Sequence, residues 1–383
     1  MRFHISFFVL SIAFLAFCLV PNPGQAQNQF IVEEITTELN EPWGLAFLPN
    51  GDMLVTEHGG HLRLIKNGVL QPTPIAKIDG VLKLGQGGLF DVVLHPDFAD
   101  NQLIYLSFAT GRAAQNATKI IRARFTGTGL ENIETIYVSD MRSRPAHYGG
   151  RFVFLADKTL VLTLGDSFDE REKAQDPSNT TGSLIRITDT GGIPEDNPFI
   201  GQSGIRPETY SYGHRNPQAI VYDKAHARIY ANEHGPKGGD ELNEIDGGRN
   251  YGWPVITYGL DYSGARITPY TKMPNMEQPL TYWTPSIAPS GMAIYDGTAF
   301  ADWQGDLLVT SLVFDKLVRV DMDNDAAPSP ATSKVKGQED IYIDNLERLR
   351  DVRVGPDGYI YILAELPEGK LVRLIPNNNQ VKD

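Results

Sequence analysis

Residues 42–59 read PWGLAFLPNGDMLVTEHG and residues 350–365 read RDVRVGPDGYIYILAE. Each is a short apolar run, a turn carrying Asn50-Gly51 or Asp357-Gly358, and a second run of β-branched and aromatic residues. Asn-Gly and Asp-Gly supply the positive φ that a tight turn requires, so each stretch is predicted to be a two-stranded hairpin. Four further stretches follow the same plan: GGLFDVVLHPDFADNQLIYLSFA (87–109), GGRFVFLADKTLVLTLGD (149–166), NPQAIVYDKAHARIYANEHG (216–235) and SGMAIYDGTAFADWQGDLLVTSLV (290–313). Six hairpins at intervals of roughly 45 to 75 residues, without long helical periodicity, predict radial repetition. The expected fold is all-β, a six-bladed β-propeller of four-stranded antiparallel blades. A β-sandwich accounts less well for the long segments between hairpins. The Gly- and Pro-rich stretches 190–207 and 259–289 read as insertions on one face, and no linker divides the chain.

The N-terminus, MRFHISFFVLSIAFLAFCLV followed by PNPGQAQ, has one early arginine, an apolar run and small residues after it. Residues 1–26 are expected to be a cleaved export signal, leaving residues 27–383 as a single propeller domain that is periplasmic or secreted. The run Phe7 to Val20 is too short to span a bilayer comfortably, and no later segment resembles a membrane span. Cys18, the single cysteine, falls in that leader. Disulfides, thiolate nucleophiles and cysteine-bound metals are thereby excluded from the remainder. A formal net charge of −13 argues against nucleic acid as a partner, since phosphate backbones require a basic face. The run Asp321 to Asp325 begins like a calcium-binding helix–loop–helix turn, but Ala326 and Thr332 stand where glycine and glutamate are needed, so it reads as a solvated turn. No phosphate-binding loop, serine-nucleophile elbow or zinc-protease helix is present.

In a propeller, residues just before the first strand of a hairpin and just after the second lie on the same face of the disc. The first position gives Gln86, His147, Arg215 with Asn216, Ser290, and Arg348 with Arg350. The second gives Glu57-His58, Gly165-Asp166, Glu233-His234-Gly235-Pro236 and Glu365. Ring closure would gather these around the mouth of the central channel. Polar loop ends alone explain part of this list. They do not explain three arginines and an imidazole at equivalent positions of an acidic protein, which imply an anionic ligand with several carboxylates or phosphates.

The segments GQGGLFDVVLHPDF, HYGGRFVF, YSYGHRNPQ, NEHGPKGGDELN, GGRNYGWP, IAPSGMAIY and RLRDVRVGPDG resemble the soluble glucose and aldose sugar dehydrogenases that depend on pyrroloquinoline quinone (PQQ). The resemblance extends over nearly the whole chain after the leader. It implies oxidation of aldoses to lactones by hydride transfer to PQQ, with calcium as second cofactor and an external electron acceptor. By the same resemblance His147 is the general base, Asp166 supports it, and Arg215 faces the reacting quinone oxygen. Gln86, Asn216, Arg348 and Arg350 would bind PQQ. The carbonyls of Gly235 and Pro236 would hold a catalytic calcium, and Glu241 with the carbonyl of Tyr251 a structural one, Asp240 and Asp261 being weaker candidates. One departure stands out: where such proteins often carry a lysine after the fifth hairpin, TSLVFDKLV places Val313, with Lys316 three residues on. Loss of that cation would cost cofactor binding roughly 1 to 3 kcal/mol.

Two rival readings follow from the fold. A non-catalytic propeller binding carbohydrate or protein would have no reason to keep His147, Arg215, Asn216, Arg348 and Arg350 together. A calcium-dependent lactonase would require acidic and amide metal ligands at a mouth that is here rich in arginine.

Overall fold

Gly51 and Gly358 take φ of +87° and +78°, so the two defining turns close as their residue types predict. Phe47 then pairs with Met53 and Pro42 with Glu57, and Val354 pairs with Ile360. The computed structural model describes residues 30–323 and 333–377, and the six predicted hairpins supply the two inner strands of six antiparallel sheets. The innermost strands are Pro42–Phe47, Leu89–Leu94, Phe152–Phe154, Pro217–Asp223, Pro289–Ile294 and Leu349–Val354. Each touches the next and the last touches the first, so the sheets form a closed ring, a six-bladed β-propeller. Five blades are four-stranded; the first adds a short fifth strand, Ala76–Lys77. The expected leader, residues 1–26, and the stretch 324–332 within the acidic-turn reading lie outside the described residues.

Closure uses a strand that the hairpin pattern did not reveal. Phe30–Leu39 forms the outer edge of the sixth blade, running antiparallel to Gly369–Pro376 from Phe30 opposite Pro376 to Leu39 opposite Gly369. The N-terminal strand thus completes the blade built by the C-terminal hairpin, so strand pairing joins the two ends of the ring and covers the outer edge of Gly369–Pro376.

Apolar side chains fill the wedges between blades. Leu54 and Leu62 of blade 1 meet Ile104, Leu106 and Ile121 of blade 2, and equivalent clusters lie at the other five junctions. Burying each such side chain contributes about 1.5–3 kcal/mol, and the energy is spread around the ring.

The inner strands carry a device that bears on function. At its opening the first strand slips register in five blades, at Pro42/Gly44, Leu89/Val92, Pro217/Ala219, Pro289/Met292 and Leu349/Asp351. A hydroxyl on the neighbouring strand accepts an amide at the strand opening: Gly44 N–H to Thr56, Asp91 to Ser107, Arg151 to Thr163 and Gly291 to Thr310, at 2.8 to 3.1 Å. Thr56 and Ser107 also donate to the next blade, to the carbonyls of Phe90 and Gly150 at 2.5 Å. Bulges of this kind bend a strand and re-aim the residues beside them. Asn216, Ser290, Arg348 and Arg350 of the predicted mouth set lie at or next to these slips, whereas the third blade, which follows His147, pairs without one.

Candidate active site

A cavity of about 420 Å³ opens at that mouth. Gln86, Asn216, Arg348 and Arg350 from the first position line it, with His58 and Glu365 from the second. Arg348 and Arg350 each donate through Nη2 to Glu365 Oε2, at 2.9 and 2.5 Å. Arg350 also donates to Gln218 Oε1 at 3.2 Å, while its buried Nε has no protein partner. Burial would raise the Glu365 carboxyl, but the charge and hydrogen bond of Arg350 prevail and hold it below its ordinary value. Two histidines beside the arginines are neutral at ordinary pH. His58 is lowered to about 4 by burial and then by Lys83, and His234 to about 3 by burial and then by Arg215 and Arg350. The cavity therefore offers fixed guanidinium charge rather than titrating imidazole.

His147 and Asp166 sit next to this cavity, whose lining continues through Tyr148 and Gly149. His147 Nδ1 lies 2.6 Å from Asp166 Oδ1, and both side chains are buried. The carboxylate is itself fixed: Oδ1 accepts the Phe168 amide and Oδ2 the Trp253 indole N–H, each at 2.8 Å. An acceptor at Nδ1 places the imidazole proton there and leaves Nε2 with its lone pair. Among the described residues Nε2 has no hydrogen-bond partner. Burial drives the His147 pKa below 6.5, outweighing Asp166. Burial opposes ionisation of Asp166, but the His147 hydrogen bond and charge, with Arg215, keep it below its ordinary range.

The backbone of His147 is held at φ +48°, a left-handed conformation that costs a non-glycine residue of order 1 kcal/mol. Clamps on both sides maintain it: Gln86 Oε1 accepts its N–H at 2.7 Å and Arg142 Nη1 donates to its carbonyl at 2.8 Å. Gly165 completes the fit, because a Cβ there would lie 2.1 Å from the His147 carbonyl oxygen. Gln86 thus serves both the cavity and the histidine. Phe168 meets the imidazole edge-on at 5.0 Å and stacks with Tyr262, which is 60% exposed.

Arg215 connects the dyad to the fourth blade. Its carbonyl accepts the Asp166 N–H at 2.8 Å, its own N–H binds Glu233 at 2.6 Å, and its guanidinium lies over Trp253 at 5.3 Å. Nη1 donates to the carbonyls of His234 and Gly235 at 3.0 and 2.7 Å. The Gly235 carbonyl is therefore engaged by a guanidinium, a poor neighbour for a metal ion. Neither Gly235 nor Pro236 lines the mouth cavity. The residues as arranged do not fit the catalytic calcium expected on that carbonyl pair.

Behind Arg215 lies a second, small cavity of about 10 Å³, bounded by Gly235, Glu233, Glu241 and Tyr251. Asn243 Nδ2 bridges the two carboxylates at 3.3 and 3.2 Å. Burial, and then the negative charge of Glu233, push Glu241 up to about 8. Two facing carboxylates with hard oxygens fit a divalent cation better than they fit each other. Asp240 is not part of this group. Its Oδ1 accepts the Gly235 amide, and its Oδ2 accepts Ser286 Oγ and the amides of Ile287 and Ala288. Asp261 is likewise occupied, capping Ser263 beside Arg171. Among the described residues, no three His, Cys, Asp or Glu side chains converge as a metal-binding group.

Ser290, from the same strand position, plays a structural part, donating to the Leu349 carbonyl at 2.5 Å. Val313 is 51% exposed, and Lys316 is bound to Asp340 at 2.7 Å; neither lines the mouth cavity. Trp253 and Lys83 were given no role by sequence reasoning. The tryptophan lies within GGRNYGWP, so its motif was visible although its partner was not.

A family model for glucose/sorbosone dehydrogenases matches residues 39–373. The aldose sugar dehydrogenase YliI of Escherichia coli is 39% identical over 381 residues, covering 97% of this chain and 99% of that protein. A solved glucose dehydrogenase is 40% identical with a TM-score of 0.84, the match covering 90% of this chain and 99% of that one. The PQQ-bound form of an aldose sugar dehydrogenase from Streptomyces coelicolor is 26% identical with a TM-score of 0.70, covering 91% and 99%.

Proposed function

Because the chain belongs to the glucose/sorbosone dehydrogenase family, we propose that it oxidises aldose sugars to lactones at the channel mouth, with PQQ as the cofactor of the larger cavity. The observation that carries this reading is the His147–Asp166 pair set beside a cavity walled by Arg348 and Arg350. A molecule with three carboxylates suits that wall, since guanidinium groups pair with carboxylates through parallel N–H bonds and Arg350 Nε has no partner of its own. Asn216 and Gln86 supply the neutral polar contacts.

When bound, PQQ supplies the two-electron acceptor for the hydride leaving the anomeric carbon. The protein's task is the accompanying proton. Asp166 holds Nδ1–H, so Nε2 of His147 takes the proton of the anomeric hydroxyl, and the imidazolium that forms is stabilised by the adjacent carboxylate. Arg215 provides fixed positive charge next to the base, where negative charge develops as that proton departs. Phe168 and Tyr262 offer aromatic surface for the apolar face of the sugar ring. Electrons then pass to an external acceptor, and the chain acts as one exported domain, residues 27–383, in the periplasm or outside the cell. Among the described residues no helix is long and apolar enough to cross a membrane.

The test is reduction of a redox dye by purified protein supplied with PQQ, calcium and an aldose. Dye reduction is expected with several aldoses, and its kcat/KM is expected to fall on the acid side with a midpoint below 6.5, where His147 becomes protonated. Absence of sugar-dependent reduction removes the catalytic reading.

Calcium enters the proposal at the small cavity, where Glu241 and the Tyr251 segment would hold it as a structural ion. Calcium at about a hundred times its dissociation constant adds about 2.7 kcal/mol to stability. Chelator-treated protein is accordingly expected to melt at a lower temperature and to recover on calcium addition. In Glu241→Gln the recovery should be absent; a full recovery there would place the ion elsewhere.

A further inference from the structure

The charge lining the mouth cavity is not all carried by the strand openings. Lys83, from the connection between the first and second blades, lines the same space as Arg348 and Arg350. Its Nζ lies 2.7 Å from Glu41 Oε2 and 2.9 Å from His58 Nδ1, and both partners also belong to the lining. An ammonium has three N–H groups, so these contacts leave one free for a ligand. With Lys83, three cations face two carboxylates, Glu41 and Glu365; without it the cavity wall is neutral overall. A wall without net charge attracts a trianion less strongly than one with a positive excess. The lysine side chain is 39% exposed, so it can turn from Glu41 to a ligand without uncovering a core.

No other cation replaces it in the lining. Val313 is apolar, and the Lys316 ammonium is taken by Asp340 on the far strand of the fifth blade.

We propose that Lys83 is a carboxylate-pairing residue of the cofactor cavity, supplying from the blade 1–2 connection the third positive charge for a tricarboxylate, with Glu41 as its partner when the cavity is empty. The inference rests on the reading of this cavity as the PQQ site. In the bound state the ammonium pairs with the ligand, and Glu41 becomes a competitor for it.

The experiment is a titration of the apo-protein with PQQ, without sugar, followed by quenching of tryptophan fluorescence; Trp43 lines the cavity. It is repeated at several salt concentrations. Lys83→Ala is expected to raise Kd about ten- to a hundredfold and to flatten the dependence of log Kd on log salt. Lys83→Arg should retain most of the affinity, and Glu41→Gln should tighten binding several-fold. An unchanged Kd and salt slope in Lys83→Ala, alongside tight binding by the wild type, overturns the inference while leaving the cofactor reading intact. A weaker Kd with an unchanged salt slope and a lower melting temperature of the apo-protein also overturns it, by reducing Lys83 to a prop for His58. Failure of the wild type to bind PQQ removes both.

Discussion

His147→Ala is expected to lower sugar oxidation by about a hundred- to ten-thousandfold, the range that a positioned general base contributes, with the PQQ dissociation constant changed only a few-fold. The separation follows from where the residue lies. The arginines that wall the cavity reach it from the sixth blade, while His147 is held from the second and third by Gln86, Arg142 and Asp166. Removing the imidazole takes away the proton acceptor and leaves the anion-pairing wall standing. The acid limb of the pH profile should vanish with it, because the group whose protonation causes it is gone. Asp166→Asn tests the same arrangement from the other side. A carboxamide can donate to Nδ1 and so favour the tautomer with its proton on Nε2, which cannot accept one from substrate. Its turnover should therefore fall while the histidine remains in place. Near-normal turnover in His147→Ala would remove this residue from the chemistry and leave the cavity as a binding site only.

Much of this architecture was written in local signals. Asn50-Gly51 and Asp357-Gly358 fix their turns by backbone preference alone, so the hairpins were readable, and repetition then fixed the ring. Once the ring is granted, Gln86, Asn216, Arg348 and Arg350 must share one face, because strand order places every first-strand opening there. Contacts that depend on a distant partner were not readable. Trp253 reaches Asp166 across 87 positions of chain, and its indole N–H carries no local mark of that destination. Asp240 is one of the weaker calcium candidates that the family resemblance implies. It instead anchors the loop at Ser286–Ala288, where three donors converge on a single oxygen. The closing strand Phe30–Leu39 has no hairpin partner of its own, so a pattern based on turns passes over it.

Beneath the cavity lies the ion network whose loss should cost most in stability. Arg151 is buried and pairs with Asp91 at 3.0 Å and Asp351 at 3.2 Å, joining the second, third and sixth blades at the axis. Its Nε donates to the Gln218 carbonyl of the fourth blade, its Nη2 to the carbonyls of Trp43 and Arg350, and its guanidinium lies 3.9 Å from the Trp43 ring centroid. Arg353 also approaches both aspartates, at 3.4 and 2.9 Å, but it is half-buried and cannot replace the contacts at the centre. Arg151→Met leaves two buried carboxylates with one counter-ion, a loss on the order of 3–5 kcal/mol. The measurement is the shift of the urea midpoint at neutral pH. Adding Asp351→Asn to that variant should recover part of the stability, since the cost lies in the unpaired charge more than in lost packing. A shift below about 1 kcal/mol would mean that Arg353 and water compensate fully. Because Trp43 and Arg350 line the mouth, the same substitution should also weaken PQQ binding: the backbone positions that Arg151 fixes are those from which the cavity's aromatic wall and one of its two arginines project.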